Sequence, residues 1–413
     1  MRILIVANNC SKRMGGEAIL PYHYFRLMMA RGMDCHLIAH ARNRAELLEL
    51  FPEHQSRIHF VSDSWFNRVA WALGALLPTR VAEVSFFAAV FLRDNLRMSQ
   101  LARDLIRQHG IDVVHQPIPV SPKEPSFLSA TVPVVIGPMN GGMEYPPGFL
   151  AALGHVDRIA HFVAKRGADF LNILIRGKRR AALLLYANER TRLALPRSVS
   201  KVPMQLLAEN GVDLALWRSA WSDGAIDQRT DFLFVGRLVE LKGVHYLLRA
   251  FALISTNVTA SVTIVGDGPE RGPLEKLCAS LGITDRVRFI GFLPQQEVPP
   301  LMKRALALIL PSLSDCGGAV VLEAMAAQVA VIATAWGGPL DYLTSESGIL
   351  VEPANDESFV RGLAEAMLRL ANSPELAASM GRAGLKRVEE LFSWERKMDQ
   401  MLDVYRSVAA RTR

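Results

Sequence analysis

Short apolar runs alternate along this chain with longer stretches in which apolar residues recur every three or four positions, so strands and helices take turns. Ile3–Ala7 reads as a first strand. A polar loop through Gly15, Gly16 and Glu17 leads into a helix over Ala18–Arg31, and a second strand follows at Cys35–Ala39. That opening is a βαβ unit of doubly wound type. Further strands are predicted at Ile111–His115 and inside PVVIGPMNGG, residues 133–142. A second βα series starts at Asp231–Val235 (DFLFV), continues with a helical pattern on Val244, Leu247, Leu248 and Phe251, and includes the apolar strand Ala305–Leu310. A helix opens at about Ala319, and a final one runs from Trp394 to about Arg411. The fold class is α/β.

Residues 65–108 are apolar and helical in pattern, but Arg68, Pro78, Arg80 and Glu83 interrupt them. No stretch reaches the ~18–20 uninterrupted apolar residues of a membrane span. Two readings stay open. The segment packs on the first sheet as core helices, or it forms an amphipathic surface on a bilayer with Trp65, Phe66, Trp71 and the arginines at the interface. A basic region follows, with Lys165, Arg166 and the run Arg176, Lys178, Arg179 and Arg180. Charge runs are usually solvated faces. Beside an apolar surface they also suit anionic lipid, each cation contributing about 1 kcal/mol.

The charge balance adds to this picture. Residues 1–200 hold 25 Lys+Arg against 15 Asp+Glu (+10) and the remainder 22 against 25 (−3), which recovers the net +7. A basic N-terminal half suits an anionic partner: membrane headgroups, a phosphorylated acceptor or nucleic acid. No finger, RNP or helix-turn-helix pattern accompanies the charge, so nucleic acid is not expected. At 413 residues and 50% hydrophobic, the chain can form two or three domains with sizeable cores. Cys10, Cys35, Cys278 and Cys316 show no paired spacing, which points to neither a disulfide framework nor a zinc site. Ile3–Ala7 is too short for the apolar core of a signal peptide, so a reducing cytoplasm is expected.

Candidate chemistry concentrates at Pro311–Gly338. The Ala305–Leu310 strand runs into a loop with Asp315, Gly317 and Gly318, and Glu323 follows inside the helix. Backbone N–H groups at a helix start attract anions, while carboxylates accept hydrogen bonds from neutral hydroxyls. A ligand with phosphate and several hydroxyls, such as a nucleotide sugar, suits both. The plainer reading is that Asp315 caps the helix and Glu323 complements its dipole. Upstream, Asp231–Val235 ends at Gly236, where the backbone can turn, and Arg237 and Lys242 follow. Both cations sit just past a strand end, where open α/β sheets bind ligands. They are either solvated loop residues or a diphosphate clamp that needs no metal.

These pieces resemble glycosyltransferase family 4, the group 1 retaining enzymes of GT-B fold. The resemblance rests on VGRLVELKGVHYLLRAF (235–251), VTIVGDGPERGPLEKL (262–277), VRFIGFLP (287–294) and PSLSDCGGAVVLEAMA (311–326), with SGILVEP (347–353) and FSWE (392–395). It implies two Rossmann-like domains facing a central cleft: 1–205 for the acceptor and 206–393 for the donor, with the helix 394–413 packing back on the first. Arg237 and Lys242 would hold the diphosphate, Glu323 the ribose hydroxyls, and Asp315 the hydroxyls of the transferred sugar. Gly236, Gly317 and Gly318 would line the donor, and backbone N–H groups of Val320, Val321 and Leu322 would meet phosphate or ribose. Phe292 and Leu293 would lie against the base. Gly16 would approach the diphosphate, with Gly15, Glu17, Asn140 and Gly141 toward the acceptor. His115, at a strand end, reads as structural on its own. The resemblance makes it a contact to the donor sugar.

One departure stands out: the family usually has Glu where this chain has Asp315, an arm shorter by one methylene, or roughly 1.5 Å. That bears on the choice of sugar. The implied reaction transfers a sugar from a UDP- or GDP-linked donor, with retention, to a glycan, lipid-linked or small-molecule acceptor in cell-envelope or exopolysaccharide biosynthesis. No resident cofactor and no metal are expected, since the chain has no Asp-x-Asp pair. The alternatives are a non-catalytic scaffold that binds a nucleotide sugar, or an epimerase or phosphorylase of the same fold.

Overall fold

Thirteen short strands form two wholly parallel sheets in the computed structural model, which describes residues 1–63, 88–152, 167–218 and 230–411. The first sheet has the order β3-β2-β1-β4-β5-β6-β7. Its strands are β1 (Arg2–Val6), β2 (Asp34–His40), β3 (Ile58–Val61), β4 (Val113–Gln116), β5 (Val134–Met139), β6 (Leu183–Tyr186) and β7 (Met204–Leu206). The second has the order β10-β9-β8-β11-β12-β13. It is built from β8 (Asp231–Val235), β9 (Ser261–Val265), β10 (Val287–Gly291), β11 (Ala305–Leu310), β12 (Ala330–Thr334) and β13 (Gly348–Val351).

Parallel strands are covered on both faces and therefore read as continuous apolar runs. ALALIL in β11 and AVIAT in β12 are buried at every position. In each sheet the strand order reverses beside the first strand of its series, between β1 and β4 and between β8 and β11. Those are the switch points at which such sheets bind ligands, outside the carboxyl ends of the strands.

The chain divides into two compact units. One comprises Met1–Gly142, Ile159–Glu209 and Met398–Arg413, the other Met143–Arg158 and Asn210–Lys397. In the first unit, the helix Ala88–His109 packs on one sheet face through Met98, Ala102, Leu105 and Ile106, against Leu4, Ile38 and Val114. The described tail of the 65–108 segment is therefore a core helix. Trp65, Phe66, Trp71, Lys165 and Arg166 lie outside the described residues. No helix among the described residues is long and apolar enough to cross a membrane.

In the second unit, the helix Val244–Ile254 buries Val244, Leu247, Leu248 and Phe251, an i, i+3, i+4, i+7 stripe. Phe251 meets Phe232 of β8 edge-on, with ring centroids 6.5 Å apart. Residues near 143–149 join this unit through specific contacts: Trp336 Nε1 donates to the Glu144 carbonyl at 2.8 Å, and Phe149 packs edge-on to Tyr246 at 5.7 Å. This segment falls within the stretch 1–205 expected for the first domain, while the returning C-terminal helix joins that first unit from Met398.

Candidate functional site

Two loops leave neighbouring strands of the second sheet and carry most of the predicted donor residues. After β8 come Gly236, Arg237 and Lys242; after β11 come Asp315, Gly317 and Gly318, and then the helix Ala319–Ala326. Of the glycines the sequence pointed to in these two loops, Gly318 has the left-handed backbone, at φ 54, and the closest backbone approaches fall at other glycines. Gly236 has no left-handed backbone, whereas Gly266, after β9, sits at φ 135 with its position for a Cβ only 1.8 Å from the Gly236 carbonyl oxygen. Gly243 sits at φ 64, where a Cβ would be 2.2 Å from the Pro311 carbonyl oxygen. That second contact sets the Lys242 loop against the Asp315 loop.

The central finding is an ion pair. Lys242 Nζ donates to Asp315 Oδ2 at 2.5 Å, and the two side chains are only 24% and 13% exposed. The other carboxylate oxygen, Oδ1, accepts from the Gly318 N–H at 2.8 Å, one residue before the helix. Asp315 therefore holds the Gly318 N–H just ahead of the helix and the Lys242 ammonium of the facing loop at the same time. Its carbonyl is also used, accepting from the Gly338 N–H at 2.8 Å. Arg237 is exposed.

Glu323 is half-buried, a little over one turn into the helix. Desolvation pushes its carboxyl up to about 7, and a hydrogen bond from Gln295 Nε2 to Oε1 at 2.5 Å pulls the other way. Sequence reasoning missed Gln295. It lies directly beyond the VRFIGFLP stretch, and the same stretch gives Phe292 (74% exposed) and half-buried Leu293. Val320 is half-buried, while the side chains of Val321 and Leu322 are core. The Gly318 N–H is taken by Asp315, and the Val321 N–H donates to the Gly318 carbonyl. Neither of those two N–H groups points to a ligand.

In the first unit the loop after β1 places Gly15 and Gly16 at φ 65 and 56 with open space around both. Glu17 follows and lines a pocket of about 230 Å³ together with Asn8, Asn9, His40, Asp94 and Glu124. Burial, and then the nearby charge of Glu17, push the Glu124 carboxyl up to about 7. Asn140 does not border this pocket. It is buried, donating to Glu209 Oε2 at 2.6 Å and accepting from Asn188 Nδ2 at 3.1 Å, and the Gly141 N–H donates to Thr191 Oγ1 at 3.1 Å. The polar groups of Asn140 are thus engaged within its own unit.

His115 is likewise engaged inside its own unit. Its side chain is fully buried, with Nε2 2.7 Å from the Gly137 carbonyl and Nδ1 2.7 Å from the Tyr405 hydroxyl. A carbonyl only accepts, so Nε2 carries the proton and Nδ1 accepts from Tyr405. Both ring nitrogens are therefore used, and none is left for a sugar hydroxyl. The imidazole ties β4 to the C-terminal helix, Trp394–Ala410, on which Tyr405 lies. Lys178 is also no solvated cation: it is 2% exposed, donates to the Pro122 carbonyl at 2.7 Å, and burial pushes its ammonium down to about 7.

Known proteins can be set beside this geometry. Residues 218–387 match the family described as glycosyl transferases group 1. A D-inositol 3-phosphate glycosyltransferase of Salinispora tropica is 34% identical over 230 residues, covering 50% of this chain and 47% of that protein. The chain spans about half the length of the curated relatives it matches. Among solved structures, sucrose-phosphate synthase from Thermosynechococcus elongatus shares the fold over 100% of both chains, with a TM-score of 0.69 at 20% identity. The Anabaena protein HepE in complex with UDP and glucose matches 98% of this chain and 100% of its own, with a TM-score of 0.63 at 17% identity. Two Rossmann-like units of this kind are the GT-B architecture. Over residues 218–387 the chain is therefore similar to the glycosyl transferases group 1.

Proposed function

We propose that the chain is a retaining, metal-independent glycosyltransferase that moves a hexosyl group from a nucleotide-diphosphate sugar to a hydroxyl of a glycan, lipid-linked or small-molecule acceptor. Its setting would be cell-envelope or extracellular polysaccharide synthesis. The observation that carries the reading is the Lys242–Asp315 pair at a helix start, beside exposed Arg237 and with Glu323 in the same helix.

In the free chain Asp315 holds Lys242. A diphosphate carries more charge than one carboxylate and would draw the ammonium away, with Arg237 offering its planar fork alongside. Asp315 would keep Oδ1 on the Gly318 N–H and turn Oδ2 to a sugar hydroxyl. Glu323 would accept from the ribose hydroxyls, and Phe292 would present an exposed ring to the base. As the anomeric C–O bond breaks, its electron pair passes to the diphosphate oxygen, and the two cations stabilise the growing charge. The acceptor oxygen attacks from the same face, and its proton goes to the departing phosphate. A UDP-linked donor is supported by the capture of UDP and glucose on HepE. Thermal shift against UDP- and GDP-sugars tests the donor, because a bound ligand raises the melting temperature by mass action. One donor should raise it; no shift with any donor, and no nucleotide release, would refute the reading. Binding without release above background would leave a scaffold.

We also infer peripheral contact with anionic lipid. Residues 167–174 are helical, Phe170 and Leu174 are 61% and 60% exposed, and Arg176, Arg179 and Arg180 follow on the surface. Co-sedimentation with anionic vesicles should be strong at low salt and fall at high salt. Failure to bind at low salt would remove the idea.

A further inference from the structure

Three histidines converge at the strand ends opposite the Gly15–Glu17 loop. His36 is the third residue of β2, and the β2–β3 register pairs Ile38 with His59. Residues two apart on a strand share a face, so His36 and His59 are diagonal neighbours on one face of the sheet. The helix Ala88–His109 packs on that face and delivers His109 as its last residue. His36 Nδ1 lies 3.0 Å from His59 Nε2, and the His36 and His109 ring centroids are 4.3 Å apart. One nitrogen from each ring lies within 4.8 Å of the others.

We propose that His36, His59 and His109 form a binding site for a borderline divalent ion of the zinc, cobalt or nickel class, with a fourth position left for water. A hydrogen bond between two imidazoles accounts for one pair and leaves the third ring without a reason to be there. Metal–nitrogen bonds of about 2.0–2.1 Å place tetrahedral ligand atoms about 3.3 Å apart. The spacings seen here, 3.0 Å for one pair and no more than 4.8 Å for any, bracket that value within small side-chain rotations.

The surroundings are consistent with a cation. His109 ends a helix, where the carbonyl end of the dipole favours positive charge. If Nδ1 of His36 faces the ion, its Nε2 faces Asp34 Oδ1 at 3.9 Å, the carboxylate-behind-histidine arrangement that orients metal ligands. Asp34 is itself fixed by Arg57 at 2.7 Å and Arg2 at 3.1 Å. A second group, His40 with Asp63 and Asp94, fails the same examination. The Arg42 backbone N–H and Nε both donate to His40 Nδ1, so the ring proton sits on Nε2, the nitrogen nearest the carboxylates, and occupies the lone pair a metal would need.

The ion would clip β2, β3 and the helix end together, and it is independent of sugar transfer. The test uses the untagged full chain, stripped with chelator and titrated with Zn²⁺ or Co²⁺ alone. One ion per chain is expected, with the visible absorption of nitrogen-ligated Co²⁺ and a raised melting temperature. His59→Gln and His109→Gln should each weaken binding by more than about tenfold and remove the metal-dependent rise. Two variants on different elements, a strand and a helix end, guard against a single folding failure. Substoichiometric binding, or binding unchanged in both variants, would overturn the proposal.

Discussion

Replacing Glu323 with Gln should make the protein more stable in mild alkali while weakening its hold on the donor nucleotide. The carboxyl is lifted from 4.5 to about 7, chiefly by desolvation. At about 1.36 kcal/mol per pKa unit, that shift has a ceiling of about 3 kcal/mol, and the half-buried position reduces it to about 1–3 kcal/mol. The sign follows from proton binding. A raised carboxyl keeps its proton in the folded state, so its contribution is fully present below 4.5, the unfolded value, and is lost as pH rises through about 7. Gln has no proton to lose and still accepts from Gln295. The variant should therefore match the wild type near the acid end and gain on it steadily up to about pH 8. Urea unfolding across that range, paired with calorimetric titration of the donor nucleotide, reads both effects. A stability difference that does not change with pH, or a wild type more stable than the variant in alkali, would refute the reasoning.

Two further substitutions separate structure from chemistry. His115→Ala leaves the Tyr405 hydroxyl and the Gly137 carbonyl without a partner in a closed core, and should cost about 2–4 kcal/mol in urea unfolding with an unchanged donor KM. A raised KM without loss of stability would return His115 to the sugar. Asp315→Glu lengthens the arm that holds Lys242 and caps Gly318. Turnover of a panel of donors should then change its order of preference while total activity survives; an unaltered order would show that the arm does not select the sugar.

Much of this was legible because it is local. The unbroken apolar runs gave β8 and β11, and the glycine-bearing loops after them gave Arg237, Lys242 and Asp315 at neighbouring strand ends. What stayed hidden depends on partners far along the chain. His115 looks like a ligand residue until Tyr405, nearly three hundred positions later, takes its second nitrogen. Asn140 needs Glu209 and Asn188 to become a core residue. Lys178 sits in a basic run, and only the Pro122 and Ser121 carbonyls explain how it is buried. Spacing also did not reveal that Lys242 and Asp315, assigned to different parts of a donor, meet each other first. The three-histidine cluster was equally invisible, since its members come from two strands and a helix end.

The central claim is that the Lys242–Asp315 loops bind and activate a nucleotide-diphosphate sugar. Its most direct measurement is nucleotide release from the donor selected by thermal shift, with a competent acceptor, for wild type, Lys242→Ala and Glu323→Ala. Lys242→Ala should lower kcat by about 10²–10³, as expected when one charge-stabilising donor is removed from a leaving group. Glu323→Ala should act mainly through KM. Unchanged turnover in both variants would contradict the assignment of the site.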